Sequence, residues 1–81
     1  MLISYDMIEW CDRHGLAIEL SLAELKIKLV DAESESDVSE SSIAGAHLTH
    51  MFALDRCVAA AIKDAARVLY IDEYPIMATL H

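Results

Sequence analysis

The side chains of this 81-residue chain that could do chemistry fall into three sets. His47 and His50 stand three positions apart, so on a helix both project from one side, and Cys57 follows two turns further on. Imidazole and thiolate are natural zinc ligands, and a structural site normally takes four. Here two histidines are adjacent, while Cys57 lies about 10 Å further along a helix axis and could join them only from another chain. Cys11 and His14 are also three apart, with Asp12 between them. A thiolate nucleophile needs a base and an oxyanion site, and no Gly-rich turn or second donor accompanies this pair. A cysteine in an apolar, Trp-containing helix reads as core. The third set is the carboxylates Asp55, Asp64, Asp72 and Glu73, which are spread along the C-terminal half rather than converging on a cleft. Asp64 and Arg67 have the spacing of a surface ion pair. The only glycines, Gly15 and Gly45, build no phosphate-cradling loop. No catalytic residue is assigned, no cofactor is implied, and a non-enzymatic role is expected. His47 and His50 stand as candidate metal ligands; Trp10 reads as a packing anchor and, with Tyr70, Tyr74 and the methionines, as candidate lining of a small-ligand pocket.

Charge narrows the partners. Fourteen acids against six bases give a net charge of −8. Phosphate backbones need a basic face, and anionic membrane surfaces attract one, so neither nucleic acid nor membrane is an expected partner. A partner protein with a basic surface is favoured. The segment Asp31 to Ser42 (DAESESDVSESS) concentrates acid and serine without a base, and Asp31, Glu33, Glu35, Asp37 and Glu40 are its candidate docking residues. The two cysteines form no disulfide framework, no signal-like start is present, and the uncharged run from Ser41 to Leu54 (about 14 residues) is too short to span a bilayer. A cytoplasmic protein with reduced thiols is the expectation.

The elements that must position these residues read as mainly α, in a single domain over 1–81 with 31–42 as an acidic, Ser-rich connection. Ser4 to His14 predicts a short helix, capped by Ser4 or Asp6 and stopped by Gly15. Leu16 to Val30 is ambiguous. Leu16, Ile18, Leu20 and Leu22 alternate as in a strand, and Leu25, Ile27 and Leu29 alternate in the opposite phase. The slip at Ala23-Glu24 lacks the Gly or Asn of a tight hairpin. Ser21-Leu22-Ala23-Glu24 has capping-box spacing, so a middle helix from about Leu22 to Glu33 is expected; strands within 16–30, giving an α+β fold, are the alternative. Ser39 to Glu73 reads as one long C-terminal helix, rich in good helix formers and stopped by Pro75. It would be a rod of roughly 50 Å, apolar around most of its circumference, against a domain diameter near 30 Å for so short a chain. Such a rod predicts self-association, as a homodimer, to cover what the chain itself cannot.

A non-enzymatic, self-associating helical protein that binds or inhibits another protein is therefore expected, with a small-ligand binder or a metal-binding bundle on His47 and His50 as alternatives. In size and charge the chain looks like phage-encoded inhibitors of bacterial defence, including anti-CRISPR proteins, but no residue motif carries that likeness.

Overall fold

The computed structural model describes residues 3–43 and 51–75, with backbone alone over 51–53. The architecture is α+β rather than mainly α. Helix α1 (Tyr5–Arg13) is followed by three strands, β1 (Leu16–Ser21), β2 (Lys26–Asp31) and β3 (Asp37–Ser42), and by helix α2 (Met51–Val68). The strands form an antiparallel sheet in the order β1-β2-β3.

The N-terminal helix forms as its residues predict. Ser4 is the N-cap, its hydroxyl accepting from the Asp6 backbone N–H at 3.2 Å. Gly15 follows the His14 C-cap with φ +69°, the left-handed conformation that glycine adopts freely. Met7, Trp10 and Cys11 face inward.

The expected middle helix does not exist, and its sequence signal has another meaning. Ser21 Oγ does accept from the Glu24 backbone N–H at 3.2 Å, as a capping box requires. The chain then turns back, because Leu25 takes φ +53° where a hairpin would prefer glycine. The phase slip is itself the hairpin. Residues pair as Leu20 with Ile27 and Ile18 with Leu29, so even positions of β1 share a face with odd positions of β2.

The long helix is also corrected. Ser39 to Ser42 belongs to β3, and α2 ends at Val68, before the expected stop at Glu73. Ser39 and Ser41 pair with Leu29 and Ile27 and so lie on the face that meets α2. Ser39 Oγ donates to the Ala61 carbonyl at 2.7 Å, and small side chains on both elements allow that approach. The pairing shifts between Leu29 and Val30, which makes Val38 the extra residue of a β-bulge; it packs against the core. The description "helical" therefore fails, since half of the acidic connection is an edge strand.

One face of the sheet, with Leu16, Ile18, Ile27 and Leu29, meets Met7, Trp10 and Cys11 of α1 and Val58, Ala61, Ile62 and Ala65 of α2 in one core. The other face carries Glu19, Lys26, Lys28 and Glu40 toward solvent. Burial of α2 on more than one side comes from the chain itself, since Ala59 and Ala66 are also buried. Its 18 residues make about 27 Å, within the span of the domain, so the premise of an uncovered rod does not hold.

Candidate binding groove

Helix α2 stops through its own backbone. Tyr70 takes φ +57°, its N–H reaches the Arg67 carbonyl at 3.4 Å, and the Ile71 N–H bonds the Ala66 carbonyl at 2.8 Å. These two bonds make a Schellman cap, in which the left-handed position usually belongs to glycine. After it, residues 71–75, which belong to no helix or strand, run back toward α1. Glu73 anchors that strap. Its carbonyl accepts from Trp10 Nε1 at 2.8 Å, its Oε2 lies 3.0 Å from Arg13 Nη1, and its Oε1 lies 3.3 Å from His14 Nε2. Pro75 is buried.

Between the strap and the last turns of α2 lies an open groove of about 730 Å³. Ala66, Ile71 and Pro75 supply its apolar lining, Tyr70 and Tyr74 its aromatic surface, and Lys63, Asp64, Arg67 and Asp72 its charges. Tyr70 is 94% exposed and Tyr74 51%. Arg67 is held by Asp64 at 2.6 Å, the surface pair that the spacing predicted, whereas Lys63 has no ion-pair partner among the described residues. Two exposed phenols, an apolar floor and balanced charge suit an extended peptide better than an ion.

The structure thus brings Tyr70 and Tyr74 together and separates Trp10 from them. Trp10 is fully buried, its ring 4.6 Å from that of His14, and it positions the strap from beneath. Sequence reasoning did not give Glu73 or the strap a role. The available signal was a Tyr-x-x-x-Tyr-Pro run just past a helix end, with Tyr at the place of the missing glycine.

The acidic residues are divided among several tasks. Asp31 Oδ1 accepts from the Glu33 and Ser34 backbone N–H groups at 2.9 and 3.0 Å, and these bonds hold its carboxyl below the usual range. Lys28 Nζ lies 3.9 Å from an Asp37 carboxylate oxygen, and Lys26 Nζ 3.1 Å from Glu40 Oε1. Glu33 and Glu35 are exposed on the turn and have no ion pair among the described residues. His47 and His50 lie outside the described residues.

The Cys11–His14 pair is not arranged as nucleophile and base. Cys11 is buried, and burial pushes its thiol up to about 11, while His14 is turned to Glu73. Burial also raises the Cys57 thiol, against the lowering effect of a hydrogen bond with Ser41. Asp55, 8% exposed, accepts the Ser4 backbone N–H at 2.9 Å and so ties the start of α1 to α2.

No family model, curated protein or solved structure matches this chain at a significant level. Among the described residues, no helix is long and apolar enough to cross a membrane.

Proposed function

We propose that this chain is a small, acidic, non-enzymatic binding domain of the cytoplasm. Its groove beside α2 takes an extended segment of a partner protein, and it inhibits or recruits that partner by occupancy alone.

The conformation of Tyr70 carries this reading. A bulky residue in the left-handed region costs roughly 1 kcal/mol relative to glycine, and here nearly all of its ring is left in water. Neither the backbone nor the core gains from a tyrosine at this position. A ligand that stacks on the ring would. Tyr74 and the apolar floor extend the same surface, and phenol hydroxyls can reach the backbone groups that an extended ligand leaves unpaired.

Display of random peptides against the full chain is the test. Selected peptides should bind the native protein and lose at least about tenfold in affinity to the double variant Tyr70→Ala, Tyr74→Ala. Equal binding to a double variant of unchanged melting temperature would remove the groove from the proposal.

Binding of a basic partner is the second reading, supported by the exposed Glu33 and Glu35 on the β2–β3 turn. The pairing of Asp37 and Glu40 with lysines narrows that strip to the turn itself. Its signature is an affinity that falls with salt and is insensitive to the tyrosines.

A further inference from the structure

The two edges of the sheet are not alike. β3 carries a bulge at Val38 and polar residues at five of its six positions, both of which discourage pairing with another chain. β1 (LAIELS) keeps an unbroken ladder with β2 and has neither proline nor bulge.

The direction of its backbone follows from three bonds. The Ala32 N–H bonds the Gly15 carbonyl, while the Asp31 N–H reaches Ser36 and the Leu25 carbonyl accepts from Ile43. Even residues of β2 therefore bond to β1, and odd residues to β3. Ala17, Glu19 and Ser21 are spent on β2, so Leu16, Ile18 and Leu20 direct their N–H and C=O groups outward. No strand takes them up among the described residues.

A groove of about 410 Å³ runs between this edge and α1, lined by Ile8, Cys11 and Asp12 on the helix and by Leu16, Ile18 and Leu20 on the strand. Ile8 and Leu20 are exposed. The carboxylates here are Asp12, in the groove, and Glu19, on the open face of β1 across the ladder from Lys28; among the described residues neither has an ion-pair partner and no basic residue lines the groove.

We propose that the outer edge of β1 is a strand-addition site for a partner segment that alternates apolar and basic side chains. Backbone pairing to Leu16, Ile18 and Leu20 gives the register. Alternate apolar side chains enter the groove against α1, and the basic ones lie on the Glu19 face. A second copy pairing through its own β1 fits the edge less well, because that strand brings Glu19 and no base to a molecule of net charge −8. The site is separate from the tyrosine groove and stands whether or not that groove binds a ligand.

The test uses the full chain and three blocked nonapeptides: alternating valine and lysine, alternating valine and glutamate, and the valine–lysine peptide with every amide N-methylated. The valine–lysine peptide should bind saturably, weaken about tenfold on Glu19→Lys, and slow hydrogen exchange at the Leu16, Ile18 and Leu20 amides. The N-methylated peptide keeps the charge but can pair through neither of its edges, so it should not protect those amides. Equal binding of the glutamate peptide overturns the charge argument. Unprotected amides, or equal binding by the N-methylated peptide, overturn strand addition. A dimer whose β1 amides are protected without peptide makes the occupant a second copy and overturns the proposed partner. The exchange measurement needs no variant, so the proposal is decided even if Glu19→Lys fails to fold. Tyr70→Ala should leave all three results unchanged.

Discussion

Trp10 donates its indole N–H to the backbone carbonyl of Glu73 at 2.8 Å, joining positions 63 apart in the chain. This partly buried bond, with the exposed contacts of the Glu73 carboxylate to Arg13 and His14, links α1 to the strap that walls the tyrosine groove. The indole is fully buried, so its donor needs a partner, and the strap supplies one.

Trp10→Phe keeps an apolar ring and removes the donor. The variant should lose about 1–3 kcal/mol in urea unfolding, and exchange at the Ile71 and Asp72 amides should accelerate. Glu73→Gln keeps the carbonyl and weakens only the exposed contacts to Arg13 and His14, so it should cost less than about 1 kcal/mol. If the two variants are equally destabilised, the indole bond is not what anchors the strap.

Tyr70→Gly relieves the left-handed cap and gives up no buried contact. It should raise stability by roughly 0.5–1 kcal/mol, read as a higher melting temperature, while abolishing peptide binding at the groove. A lower melting temperature would mean that the ring supports the fold, and the functional reading of its strain would fail.

Asp55→Ala removes the acceptor for the Ser4 N–H at a site that is 8% exposed. A loss of about 1–3 kcal/mol is expected, with faster exchange in the first turn of α1. Asp55→Asn keeps a carbonyl acceptor and should recover most of that loss.

The buried thiols predict an alkaline weakness. Burial moves Cys11 from 9.0 to about 11, and it raises Cys57 as well. Between those values the unfolded chain has released the Cys11 proton and the folded chain still holds it. Unfolding therefore releases a proton, and stability falls as pH rises from about 9 toward 11. Cys11→Ala should flatten that slope, whatever it does to stability at pH 7. An identical slope in the variant would place the titration elsewhere. At pH 8, iodoacetamide should label the native protein far more slowly than the unfolded one.

By itself, the sequence determined what local chemistry controls. Ser4 and Gly15 bound α1 because a hydroxyl cap and a left-handed glycine act within a few residues. The Asp64–Arg67 pair follows from helical spacing alone. Trp10 could be read as a packing anchor because a large ring in an apolar helix face has few other uses. Ser21-x-x-Glu24 was also legible as a local bond, but that bond serves a helix start and a hairpin turn equally well.

Only the tertiary structure chose between those outcomes. A half-buried strand is stable only beside another strand, so the opposed phases of Leu16–Leu20 and Leu25–Leu29 gain meaning once they pair across the loop. Ser39 and Ser41 resemble loop residues until the alanines of α2 come close enough to need small neighbours. The tyrosine groove, too, exists only because a buried indole, distant in sequence, holds the Glu73 carbonyl and lays the strap beside the end of α2.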